Sequence, residues 1–66
     1  MQIQVNGKPQ TLPSRQTISE LLGCLELDAA RVVVERNRQI VPREQLAATA
    51  LEEGDQLEIL QFVGGG

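Results

Sequence analysis

The sequence predicts an α+β fold in which a mixed sheet of four to five strands grips one main helix. Three features carry that expectation. An alternating polar and apolar start breaks at Asn6-Gly7, a capping motif at Thr17–Glu20 opens an apolar helical stripe, and strand-like runs recur around Val33 and Ile59. Two β segments joined across a helix need a right-handed crossover if they are parallel, and a single helix on a single sheet suits the apolar residues available.

Gln2-Ile3-Gln4-Val5 alternates as a half-buried strand does. Asn6-Gly7 tolerates the positive φ angles of a tight hairpin turn, and Lys8 to Leu12 forms the returning strand. Pro9 has no N–H to give a ladder, which places that strand at an edge. Thr17-Ile18-Ser19-Glu20 is a capping box, each end residue satisfying the other's backbone N–H. Ile18, Leu21, Leu22 and Leu25 then repeat at helical spacing, and Leu27 to Ala30 is the exit. The helix is short and depends on packing against a sheet.

Val32-Val33-Val34, bounded by Arg31 and Arg36, reads as an interior strand. Asn37-Arg38-Gln39 is a polar turn, and Ile40-Val41 is a short strand with room for one or two ladder pairs. Pro42 suits the start of a helical turn, with Leu46, Ala47 and Ala50 or Leu51 available to face inward. Glu52-Glu53-Gly54-Asp55 makes an acidic turn before the last strand, Gln56 to Phe62.

At 66 residues the chain reads as one small domain, 1–66, near the lower limit for folding without staples. Cys24 is the only cysteine, which excludes an internal disulfide, and the absence of histidine excludes a Cys/His zinc site. A lone thiol and no signal-like start fit a cytoplasmic protein, and no apolar run reaches membrane-span length. The net charge of −3, without a basic stripe, argues against nucleic acid. With neither His nor Tyr, and no Ser or Cys beside a readable base, no catalytic residue is assigned.

The last strand runs into Phe62-Val63-Gly64-Gly65-Gly66. Glycines carry no Cβ, so residues 63–66 form a thin, flexible tail able to extend down a narrow channel, with a reach of about 13 Å. A glycine run by itself reads first as a loose end or a cloning remnant. Here the scaffold preceding it makes it a device for presenting the carboxylate of Gly66.

Those elements together resemble the ubiquitin-like β-grasp family and, more narrowly, the ThiS family of sulfur carriers of thiamine thiazole synthesis. The residues that carry the resemblance are Asn6-Gly7, Glu35-Arg36-Asn37 followed by Ile40-Val41-Pro42-Arg43, Glu53-Gly54-Asp55, and Phe62 to Gly66. It spans essentially the whole chain, and Val41-Pro42-Arg43-Glu44 and the terminal Phe-Val-Gly-Gly-Gly are its most specific strings. The resemblance implies that a ubiquitin-activating-like adenylyltransferase, using ATP and magnesium, converts the Gly66 carboxylate to an acyl-adenylate. Sulfur derived from a cysteine desulfurase then replaces AMP, and thiazole synthase accepts it from the Gly66 thiocarboxylate. It further implies a carrier that binds no cofactor, catalyses nothing itself and is a monomer when free. Two alternatives share the fold: another sulfur carrier, especially the small subunit of molybdopterin synthase, and a ubiquitin-like modifier that forms isopeptides.

If Leu57 and Ile59 pack on the helix, Leu60 and Phe62 point outward, and Val33 joins them if Val32 and Val34 are core. Val33, Leu60, Phe62 and Val63 are thus the candidate partner-binding residues beside the Gly64-Gly65-Gly66 tail. Cys24, next to the Leu21/Leu25 stripe, is expected to be a partly buried small apolar residue. Arg36, Arg38 and Arg43 read first as solvated turn charges and second as a contact for an acidic partner, and Glu52, Glu53 and Asp55 as ordinary surface carboxylates without a metal.

Overall fold

The computed structural model describes residues 1–62. It contains β1 (Gln2–Val5), β2 (Lys8–Thr11), α1 (Ile18–Cys24), β3 (Val32–Arg36), β4 (Gln39–Val41) and β5 (Gln56–Gln61), with 3₁₀ turns at Ala29–Arg31 and Arg43–Gln45. All five strands join one sheet in the order β2-β1-β5-β3-β4. β1 and β5 are parallel and every other pair is antiparallel, so the sheet is mixed. The last strand in sequence is therefore the central one in space. Pro9 lies on β2, an outer strand, where its missing N–H breaks no interior ladder.

Both hairpins turn on an asparagine in the left-handed region. Asn6 and Gly7 have φ of 52° and 80°, and Asn37 and Arg38 have 51° and 71°. Positive φ at both turn residues matches the twist of the flanking strands. Only Gly7 adopts it without a Cβ, so the second turn is the more strained.

The capping box forms as its residues demand. Glu20 N–H donates to Thr17 Oγ1 at 3.1 Å, and Thr17 N–H donates to Glu20 Oε1 at 2.9 Å. The irregular segment after the second 3₁₀ turn satisfies two more helix N–H groups, Ile18 to Thr49 O and Ser19 to Leu46 O. The helix thus presses Ile18, Leu21 and Leu22 onto Ile3, Val32, Val34, Leu57 and Ile59 from the sheet, with Leu12, Leu46 and Leu51 closing the core. Each such side chain, fully buried, contributes about 1.5–3 kcal/mol.

The structure corrects the sequence reading at several points. Gln39 belongs to β4, and that strand makes three ladder pairs rather than one or two. After Pro42, Leu46 is buried and, of the alternatives Ala50 and Leu51, it is Leu51 that turns inward, whereas Ala47 is exposed because a single 3₁₀ turn sustains no helical stripe. Cys24 is exposed rather than partly buried, because it follows the last buried turn of a seven-residue helix. The expectations for Val63 and for the tail, Gly64 to Gly66, concern residues outside the described ones.

Candidate functional site

The site is organised around β5, because that strand leads into Val63 and the glycines. Its near end is fixed by a polar network centred on Asp55, which is only 6% exposed. Arg36 Nε donates to Asp55 Oδ2 at 2.9 Å, Asn37 Nδ2 to Asp55 Oδ1 at 3.2 Å, and Glu52 N–H to Asp55 Oδ2 at 2.8 Å. Arg36 also donates through Nη2 to Glu52 at 3.0 Å. Burial pushes the Asp55 carboxyl up, but the Glu52 N–H, the Arg36 guanidinium and the Asn37 amide together outweigh it and hold it below the usual carboxylate range. The hydrogen bond to Asp55 likewise raises Arg36 against the opposing effect of burial. Arg36 and Asp55 are therefore structural partners, where the sequence suggested solvated surface charges.

The two turn asparagines clamp β5 from either side. Asn6 accepts from Ile59 N–H at 2.7 Å and donates to Ile59 O at 3.2 Å. Its side chain continues the β1–β5 ladder beyond Leu57, where the β1 backbone has already turned away. Asn37 accepts from Gln56 N–H at 3.0 Å while its amide holds Asp55. On the β3 side the pairing persists to the last described residue, with Phe62 N–H donating to Arg31 O at 2.8 Å. The strand is thus registered along its length before the tail begins.

The face of the sheet turned away from α1 carries the apolar candidates. Leu60 and Phe62 are 56% and 58% exposed. Val33 is half-buried and lies directly opposite Leu60 in the ladder. The structure therefore brings Val33, Leu60 and Phe62 together beside the start of the tail. It adds Ile40, at 67% the most exposed large apolar side chain, which lies opposite Glu35 on β4. Sequence reasoning missed Ile40 because the short strand offered no alternation to choose its face. The signal was Val41, which pairs with core Val34 and so turns Ile40 outward.

Arg43 is likewise engaged, where the sequence suggested a solvated turn charge. Its Nη2 donates to Ala30 O at 3.3 Å, tying the second 3₁₀ turn to the first, immediately before β3. Arg38 stays on the exposed β3–β4 turn. The three arginines therefore do not form one patch.

The architecture and the glycine terminus agree with comparisons to known proteins. The ThiS family model matches residues 3–66, a span that includes the glycines. The chain belongs to the ThiS family. It is 39% identical to the sulfur carrier protein ThiS of Escherichia coli over 66 residues, covering all of both chains. Against the Bacillus subtilis sulfur carrier protein ThiS, identity is 38% over 65 residues, 97% of this chain and 98% of the other. A crystal structure of the thiamine biosynthesis protein ThiS from Geobacter metallireducens superposes with a TM-score of 0.85 at 40% identity, again over all of both chains. The fold is accordingly the ubiquitin-like β-grasp. A further relative, a thiazole synthase of Paramagnetospirillum magneticum, is 42% identical over the whole of this chain, and the chain spans only 20% of that protein's length. A second thiazole synthase, from Magnetococcus marinus, shows the same 20% relationship at 39% identity. Among the described residues no helix is long and apolar enough to cross a membrane.

Proposed function

We propose that this chain carries sulfur for thiazole formation in thiamine biosynthesis, on the carboxyl group of Gly66. The observation that supports this most directly is the family match extending through residue 66, on a scaffold whose central strand leads into the glycines. The carboxylate is a poor electrophile, because its charge is delocalised and oxide is a poor leaving group. A ubiquitin-activating-like adenylyltransferase supplies activation with ATP and magnesium. A Gly66 oxygen attacks the α-phosphorus, pyrophosphate leaves, and an acyl-adenylate results. At neutral pH the attacking group is already ionised, since an α-carboxyl has a reference pKa of about 3.5.

A persulfide sulfur supplied through a cysteine desulfurase then attacks the acyl carbon and expels AMP. Cleavage of the resulting acyl disulfide by a thiol leaves the thiocarboxylate and a disulfide. Thiazole synthase is the acceptor, a reading supported by two relatives of that name that contain a segment similar to this whole chain. The carrier contributes no catalytic group. Its part is presentation: Val33, Leu60, Phe62 and Val63 dock on the partner while Gly64 and Gly65 let Gly66 reach the chemistry.

The test is pyrophosphate exchange by the adenylyltransferase with intact carrier and with Gly66→Ala. A methyl group beside the attacking carboxylate displaces it within the channel, and a misplacement of about 1 Å costs about 100-fold. The expected result is a loss of that order with an unchanged circular dichroism spectrum. Normal exchange by the variant would sink the mechanism. Intact mass after incubation with enzyme, ATP and a sulfur source should show one oxygen replaced by sulfur; attachment to lysines would instead indicate a modifier.

A further inference from the structure

Within the apolar outer face lie two carboxylates that nothing in the described structure neutralises. Glu35 on β3 and Glu58 on β5 are directly opposite each other in the ladder. Like charges at such positions have their Cβ atoms about 5 Å apart and destabilise the sheet. Neither carboxylate takes part in an ion pair or a side-chain hydrogen bond among the described residues. None of the chain's own cations, Arg15 and Arg38 included, forms an ion pair with either carboxylate among the described residues. Arg36 serves Asp55 and Glu52, Arg31 approaches Asp28, Arg43 holds Ala30 O, and Lys8 is on the far outer strand β2.

The surroundings give this pair its meaning. Val33 and Leu60 form the adjacent ladder row toward the tail, and Ile40 lies beside Glu35 on β4. A protein surface that covers Leu60 and Ile40 passes over Glu35 on the strand between them and reaches Glu58, which shares β5 and this face with Leu60. Burying two unpaired charges is prohibitive unless the covering surface brings a cation. A guanidinium is the best fit, because its planar fork of donors can serve two carboxylates at once.

We propose that Glu35 and Glu58 form the charge-recognition element of the docking face, and that they receive a single arginine or lysine set in an apolar surface of thiazole synthase. This rests on the reading of thiazole synthase as the acceptor. The repulsion that weakens the free carrier becomes attraction to the bound cation, so stability and binding respond to these residues with opposite signs. That opposition separates docking from a structural role.

The experiment compares wild type with Glu35→Gln/Glu58→Gln in binding to the cognate thiazole synthase at several salt concentrations, alongside thermal unfolding of each carrier. Removing one side of a buried charge pair strands the partner's cation, so affinity should fall about tenfold or more. The dependence of affinity on salt should flatten, and the thermal midpoint should stay equal or rise. Glu26→Gln, which neutralises an exposed carboxylate just past the helix, should change neither affinity nor salt dependence. Retained affinity in the double variant, a lowered thermal midpoint, or an equal loss in Glu26→Gln would each overturn the assignment. Failure of the wild type itself to bind thiazole synthase would overturn the acceptor reading and the surface together.

Discussion

At its start, β5 is held by Asp55, Arg36, Asn37 and Glu52, a set of directional bonds around a buried carboxylate. At its finish the same strand has a backbone bond from Phe62 to Arg31 and two large apolar side chains facing outward. One end invests polar interactions in position, and the other leaves apolar surface uncovered. The contrast teaches a division of labour along a single strand. A tail can be delivered to a partner only if the strand before it does not slip, since a one-residue slip would turn every β5 side chain to the opposite face. The near end fixes register, and the far end leaves exposed the apolar surface proposed to meet the partner.

Removing the hub should give the largest loss of stability. Asp55→Ala leaves Arg36 Nε, the Glu52 N–H and the Asn37 amide without their acceptor, at a cost of about 3 kcal/mol by denaturant unfolding. The same network predicts an acid limb. Because the folded-state pKa of Asp55 is lowered, its contribution is complete above the unfolded value of about 4 and disappears as pH falls through the folded value. Asp55→Asn should flatten that limb. If the variant keeps the wild-type slope below about pH 4, the stabilisation belongs to other carboxylates.

The second break is Asn6→Ala. It removes the amide that pairs with both Ile59 N–H and Ile59 O, and it places a Cβ-bearing residue without local hydrogen bonding at φ 52°. Two lost hydrogen bonds and the backbone strain amount to about 2 kcal/mol. Asn6→Gly should lose about half of that, since glycine accepts the dihedral angle freely. Hydrogen exchange at the Ile59 amide should accelerate in both variants beyond the global change. An Ile59 amide that remains as protected as its neighbours would mean that the clamp does not hold the strand.

Much of this scaffold was legible in the sequence, and the reasons are local. The Asn6-Gly7 turn, the Thr17/Glu20 capping box and the alternation through Leu57 and Ile59 each announce themselves within a few residues, and all three are present. The outward placement of Val33, Leu60 and Phe62 followed from the same alternation. The Asp55 hub was not legible, because its partners come from Arg36 and Asn37, nineteen and eighteen positions away. Ion pairing across that distance depends on β3 and β5 becoming neighbours, which a turn-by-turn reading does not supply. Ile40 and the Glu35/Glu58 pair were missed for the same reason: each acquires significance only through its cross-strand neighbour.

The smallest effect on stability, and the sharpest test of the contrast, belongs to Leu60→Asp. Leu60 is already more than half exposed, so the change sacrifices little buried area. An aspartate within a strand is unfavourable, but the whole β-propensity scale spans about 1 kcal/mol, which bounds the expected destabilisation. Helix and sheet content should be unchanged, while binding to thiazole synthase should be lost, because the new carboxylate would be buried in the apolar part of the docking face. Asp55→Ala should show the reverse pattern wherever it remains folded: a large stability loss and near-normal affinity. If Leu60→Asp binds normally, the exposed far end of β5 is ordinary surface, and the tail alone makes the contact.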